Sequence, residues 1–418
     1  MTRMKDSGNP WVREIPSDWF EKKLRYLVKL RGEKSVTTDY KKYVGLENIM
    51  SQTGQYVQTG IEVDLTENLT FEVGDILFGK LRPYLRKYWR AEFSGTASSE
   101  FVIIKGSSLN LNFLFWAIQS DSFINDVDSS TYGSKMPRAS WEYMKNIKLP
   151  FPESIEEQTK IADFLDKKVA QLDKVKSLLE EQIKTLEDYR QSLIYETVTK
   201  GLDKTVPLKD SGVDWIGQIP EGWGTGKIKY YAEISAGSTP DRTNELFWNG
   251  DIPWMASGEV NQGVVTHTAE KITKLGLRNT STKLLSKGTV MLALNGQGKT
   301  KGTAAILNIE TASNQSLASF DVNNEVVNGY YLYYYFVSSY SNIRGLKGED
   351  RDGLNLKLVS NIEIPLPNID EQLKIADFLD KKTEQINHMI AIKKEQIENI
   401  NKQRQTLIYD YVTGKRRV

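Results

Sequence analysis

Two stretches of the chain hold side chains suited to a polyanion. Residues 79–90 carry Lys80, Arg82, Arg86, Lys87 and Arg90, with Tyr84, Tyr88 and Trp89 interleaved and no acid. Residues 271–301 carry Lys271, Lys274, Arg278, Lys283, Lys287, Lys299 and Lys301, again without an acid. Such cations displace the counterions that surround phosphates. A single run of this kind is often just a solvated face; one in each half of the chain carries more weight. Lys80, Arg82, Tyr84, Arg86 and Lys87 are therefore candidate DNA contacts. Ser134, Lys135 and Arg138 join them from a Gly-Ser-Lys-x-Pro-Arg segment. In the second stretch the candidates are Asn295, Gln297, Lys299, Thr300 and Lys301, with Ser238 and Thr239 upstream. Gly296, Gly298 and Gly302 would let the backbone approach phosphates. Asn and Gln side chains can pair bidentately with adenine. A plain β-turn is the competing reading of this loop.

Catalytic chemistry finds little to stand on. There are two histidines, His267 and His388, far apart in sequence, and no cysteine. A His-based triad, a thiolate metal site and a disulfide framework are not expected. The run Leu294-Asn295-Gly296-Gln297-Gly298-Lys299-Thr300 imitates a P-loop, but the motif needs Gly at 293, where Ala293 stands. The carboxylates are many but scattered, and no acid/base pair stands out. No catalytic residue and no metal site is assigned. The residues suggest a reader rather than a catalyst, with a free-standing nuclease or methyltransferase and a coiled-coil protein adaptor as the open alternatives.

The elements that must position these stretches are legible from an internal repeat. Residues 157–199 return as 371–413 at a constant offset of 214 positions, with about half of them identical, including all of 161–168 against 375–382. Both copies lack Gly and Pro and are rich in Leu, Ile, Lys, Glu and Gln, a helical composition. An apolar row recurs every seven residues, Leu165, Leu172, Leu179, Leu186 and Leu193, with Ile161, Val175 and Tyr189 on the same side. The second copy has Ile375, Leu379, Ile386, Ile400 and Leu407. Lys393 interrupts that row, and Met389, Ile390 and Ile397 lie beside the gap. This predicts a coiled-coil seam. A helix of that length measures roughly 65 Å at 1.5 Å per residue, and a pseudo-dyad across the two axes would set them antiparallel.

The segments before each helix repeat at their ends only. Lys5-Asp6-Ser7-Gly8, Trp11, Ile15-Pro16 and Trp19 return as Lys209-Asp210-Ser211-Gly212, Trp215, Ile219-Pro220 and Trp223. Asn146-Ile147-Lys148-Leu149-Pro150 returns as Asn361-Ile362-Glu363-Ile364-Pro365. Between these ends little aligns, so the frame is duplicated and its contents differ. The expected fold class is α+β: two globular mixed α/β recognition domains, 1–154 and 201–368, separated by two long helices, 155–200 and 369–418, which form an antiparallel coiled coil with a pseudo-two-fold repeat. Half-sites on one face of B-DNA lie about 34 Å apart, a spacing such helices could set. Unlike heads imply unlike half-sites and a target that is not palindromic. No stretch is long and apolar enough to span a membrane, and MTRMKDSGNPW lacks a signal-peptide core, so a soluble cytoplasmic protein is expected. The net charge of +1 decides nothing about partners.

The order head–helix–head–helix resembles the specificity subunit of type I restriction–modification systems. So do the IADFLDKK helix starts, the KDSG…W…IP…W segments, YVGLENI at 43–49, GDILF at 74–78, WNGDIPW at 248–254 and Asn314-Gln315. The resemblance covers essentially the whole chain. It implies that each head is a target recognition domain reading one half of a bipartite, asymmetric site on double-stranded DNA. It also implies that the helices set the spacer and dock two methyltransferase subunits. Restriction/translocase subunits would complete the complex. S-adenosylmethionine and ATP would then reside on those partners, with no cofactor on this chain. Lys393 departs from the seam expected of the second helix.

Overall fold

Ile76-Leu77-Phe78 and Val290-Met291-Leu292 are apolar at consecutive positions, so a strand built from either must be covered on both faces. In the computed structural model each is an inner strand paired antiparallel with both its neighbours, fully buried. The structure describes residues 3–9, 12–36, 42–59, 67–133, 135–346 and 353–418. Two of the residues read from the sequence, Trp11 and Ser134, lie outside them.

The chain forms two compact units: Met1–Glu181 with Lys393–Val418, and Gln182–Ile392. Each contains one head and one end of each long helix. The main sheet of the first unit has the strand order Val28–Leu30, Phe101–Ser107, Ile76–Gly79, Tyr88–Arg90. The main sheet of the second unit has the order Ala232–Ala236, Leu317–Val322, Val290–Ala293, Ala304–Leu307, Val264–Val265. The first four strands correspond one to one. Registers agree as well, Gly79 facing Phe101 and Ala293 facing Leu317. A smaller sheet packs beside each, with one parallel pair: Tyr43–Val44 against Gly95–Ala97, and Trp254-Met255 against Ala312-Ser313. Both units are mixed α/β.

Each repeated motif has a packing reason. The strand Trp19–Lys23 pairs with Lys148–Pro152, and Gly224–Lys227 with Glu363–Leu366, which closes each head just where its helix leaves. Gln158 sits in that corner. Its carbonyl oxygen accepts from the Asn110 amide at 2.8 Å and its amide donates to the Pro152 carbonyl at 2.9 Å. Gln372 makes the same two bonds to Asn328 and Pro367, at 2.8 and 2.9 Å. Asp166 accepts from the Trp116 indole at 2.9 Å, and Asp380 accepts from the Tyr334 hydroxyl at 2.5 Å. Burial and that carboxylate together push the Tyr334 phenol upward. The Glu-Gln and Ile-Ala-Asp-Phe-Leu-Asp signatures are thus the sockets into which each head plugs.

The long helices run Ile155–Lys200 and Ile369–Val412. The second stops at Val412 instead of continuing to 418. Gly414 turns the chain at φ +72°, and a Cβ there would come within 2.5 Å of Pro16. Within the first unit Phe164 stacks on Tyr411, centroids 4.5 Å apart, and Asp173 lies opposite Arg404. Within the second, Arg190 donates to Asn387 and Gly201 lies against Glu371. In each unit the two helix segments are antiparallel. Ile161, Leu165, Ile375, Leu379 and Ile386 are buried. Leu172, Leu179, Leu186, Leu193, Ile397, Ile400 and Leu407 are only half-buried. Val175, Tyr189 and Met389 do not share the seam: all three are exposed. In the first helix Lys176, Ile183 and Arg190, four residues after seam leucines, take the half-buried positions instead.

Candidate nucleic-acid interface

The two candidate stretches come from the same place in the two sheets. Loop 80–87 joins Ile76–Gly79 to Tyr88–Arg90, and loop 294–303 joins Val290–Ala293 to Ala304–Leu307. Both leave the same end of equivalent strands. Strand correspondence shows what sequence alignment does not.

In the first head the turn Pro83–Leu85 is bracketed by Arg82 at φ +50° and Arg86 at φ +54°. Left-handed backbone at a non-glycine residue costs on the order of 1 kcal/mol or more, which the bonds around this loop must offset. Arg86 pairs with Asp121 at 2.5 Å. Lys87 donates to the Leu46 and Ile49 carbonyls, both at 2.7 Å, and burial lowers its pKa. Both cations, expected from the sequence as DNA contacts, have bonds within the head that brace the loop. A run of charges in sequence does not reveal which of them meet carbonyls or carboxylates in the fold.

The downstream segment docks on this loop. The Arg82 amide donates to the Pro137 carbonyl at 2.8 Å, the Ala139 amide to the Lys80 carbonyl at 2.9 Å, and the Arg82 guanidinium to the Lys135 carbonyl at 3.2 Å. Residues some fifty positions apart thus share one surface. Lys80 and Arg82 are half-buried there, and Lys135 and Arg138 are exposed. Arg138 is held by Glu100 in a two-pronged pair at 3.1 and 2.8 Å. Tyr84 is 50% exposed, and Tyr132 is 65% exposed. Tyr132 was absent from the sequence candidates. Its signal was an aromatic residue in a Ser/Thr/Gly-rich segment next to the basic one.

In the second head Asn295, Gln297 and Lys299 are exposed at the loop tip, and Thr300 and Lys301 are half-buried. Gly298 and Gly302 take φ +60° and +83°, and a Cβ on Gly302 would press on Arg344 at 3.2 Å. Arg344 grips the loop from the helix Tyr340–Gly345, donating to the Gly298 carbonyl at 2.7 Å and the Lys301 carbonyl at 3.1 Å. The Tyr340 hydroxyl donates to the Lys299 carbonyl at 2.9 Å. Arg344 too was absent from the candidates, since a lone Arg forty residues away gives no local signal. Ser238 and Thr239 follow the strand Ala232–Ala236 at the loop's end of the sheet, and the Thr239 hydroxyl donates to Gln315 at 2.6 Å. The P-loop imitation connects strand to strand, so no helix N-terminus stands behind it to receive a phosphate. Among the described residues no three His, Asp or Glu side chains cluster as a metal site, and no helix is long and apolar enough to cross a membrane.

The family model described as type I restriction modification DNA specificity domain matches residues 16–187 and again 220–401. The chain is 26% identical over 432 residues to the specificity subunit of the type I restriction enzyme MjaVIII of Methanocaldococcus jannaschii, covering 97% of this chain and 94% of that protein. The EcoR124I/EcoR124II specificity subunit of Escherichia coli is 26% identical over 248 residues, covering 57% and 55%. Among solved structures, a chain from work on complex assembly and conformational transition of the type I R-M system matches with a TM-score of 0.76 at 19% identity, covering 96% of this chain and 99% of that one. The HsdS subunit of Thermoanaerobacter tengcongensis matches with a TM-score of 0.52 at 19% identity, covering 96% and 98%. At that identity the two structures establish likeness of fold.

Proposed function

The chain belongs to the type I restriction–modification DNA specificity family, and from that premise we propose that its two heads read the two halves of a bipartite, asymmetric DNA site. The observation that carries this reading is the pair of loops 80–87 and 294–303, equivalent in topology and different in sequence. Equivalent placement suits two heads that do the same task. Different side chains suit unlike half-sites. Lys80, Arg82, Tyr84, Lys135 and Arg138 in the first head, and Asn295, Gln297, Lys299, Thr300 and Lys301 in the second, form the DNA-facing surfaces, with Ser238 and Thr239 at the rim. Arg86 and Lys87 shape the first loop from within.

The long helices set the spacer between half-sites and dock two methyltransferase subunits, with restriction/translocase subunits joining the complex. S-adenosylmethionine and ATP act on those partners, and this chain performs no catalysis. The test uses purified chain, DNA and labelled S-adenosylmethionine, with and without methyltransferase subunits. Methyl transfer is expected only when the subunits are present. DNA binding by the chain should weaken steeply with salt, as phosphate contacts require. Methyl transfer or cleavage by the chain alone would favour a free-standing enzyme. DNA binding without a salt slope would favour a protein adaptor.

A further inference from the structure

Among the side chains the duplicated frame keeps, one pair of aromatic rings stands out in the solvent with its hydroxyls unused by the described residues of its own unit. Most repeated residues of the frame are explained internally: Trp19 and Trp223 by burial, Asp6 and Asp210 by accepting from the Gly8 and Gly212 amides in matching turns. Tyr26 and Tyr230 are not. Each ends an equivalent short 3-10 turn, Leu24–Tyr26 and Ile228–Tyr230. They are 66% and 72% exposed, and neither hydroxyl bonds to any described residue. Each ring instead carries the cation of the preceding residue, Arg25 at 5.0 Å and Lys229 at 5.2 Å from the ring centre. The turns themselves are rigid. The Leu24 and Arg25 amides bond to the Ile147 and Lys145 carbonyls, the Ile228 amide bonds to the Ile362 carbonyl, and the Lys229 ammonium bonds to Asn361 at 2.8 Å.

We infer that Tyr26 with Arg25, and Tyr230 with Lys229, are equivalent contact points for a protein partner that binds once per head through an acidic surface. Resting on the function proposed above, that partner is the methyltransferase subunit. Duplication argues for a partner present in two copies. Tyrosine and arginine on rigid backbone are the side chains that anchor protein interfaces. Charge sets the sign: residues 19–30 hold Lys22, Lys23, Arg25 and Lys29 against Glu21 alone. Around the second turn residues 223–232 hold Lys227 and Lys229 and no acid, with Glu363 opposite Lys227 in the strand pair.

Position within each head separates these points from the DNA-facing loop. Tyr26 precedes Val28, which pairs with Ser107 at the far end of the strand that begins opposite Gly79. Tyr230 precedes Ala232, which pairs with Val322, again at the far end of the strand that begins opposite Ala293. A strand of six or seven residues puts about 20 Å between turn and loop.

The test compares the full chain with Y26A, Y230A and the double variant, measuring by calorimetry how many methyltransferase subunits bind and how tightly, and separately measuring DNA binding by the chain alone. The expected result is a tenfold or greater loss of affinity for one of two subunits in each single variant and for both in the double. DNA affinity and salt slope should stay unchanged. The charge reversals R25E and K229E should weaken the same steps further. Subunit binding equal to wild type overturns the inference, as does loss of DNA affinity with subunit binding intact, which would make the tyrosines DNA contacts. If the unaltered chain binds no methyltransferase subunit, the function proposed above falls and takes this inference with it.

Discussion

Arg344 and Arg86 do similar work from opposite sides. Arg344 reaches from a helix to hold the carbonyls of the second loop. Arg86 reaches from the first loop to a helix carboxylate, Asp121. Arg344→Ala should therefore loosen the second loop without altering the side chains proposed to face DNA. The expected outcome is relaxed discrimination at one half-site, read by methylation mapping with the partner subunits, and unchanged discrimination at the other. Substitutions at the tip act more directly. Lys299→Ala should weaken binding by a similar factor on all sequences and lower the salt slope by about one. Gln297→Ala should cost about 1–3 kcal/mol on the cognate site alone if the amide reads a base. Competition binding against a scrambled site separates the two, and wild-type affinity in both variants would remove this loop from the interface. In the first head Arg82→Ala should flatten the salt slope, whereas Lys87→Ala should lower thermal stability, because Lys87 serves the Leu46 and Ile49 carbonyls.

At the scale of elements, Gln158 and Gln372 each tie a head to the start of its helix with paired bonds in a buried corner. Gln372→Ala strands the Asn328 amide and the Pro367 carbonyl. Each orphaned buried group costs about 1–3 kcal/mol, so the melting temperature of the second unit should fall by several degrees by calorimetry. An unchanged melt would show that the corner is open to water. Much of this level was legible before the fold was known. The absence of Gly and Pro through 157–199 and 371–413 marks long helices, and the prolines at 150 and 365 mark where they begin. The seam was legible only in part. A heptad row identifies Leu165, Leu172 and Leu179, but Val175, placed on the same side, faces solvent. Four-residue steps bring Lys176, Ile183 and Arg190 inward. The basic stretches were legible as composition. Their equivalence was not, because it resides in strand order and not in any shared residue.

At the scale of the whole molecule, duplication leaves the frame common and the loops it carries different. The sockets at Asp166 and Asp380, the corners at Gln158 and Gln372, and the glycine stops at Gly201 and Gly414 recur. The loops between them do not. On the proposed function, this arrangement lets each half-site change without disturbing the other, provided the helices act only as a separator. The most direct test lengthens both helices by four residues, after Lys184 and after the equivalent Glu398, and maps the methylated sites made by the variant with its methyltransferase subunits. Four residues add roughly 6 Å of helix, up to about two base pairs at 3.4 Å each. The expected result is the same two half-sites with a longer gap between them. A changed half-site with the gap unaltered would contradict the division of labour between reading heads and separating helices.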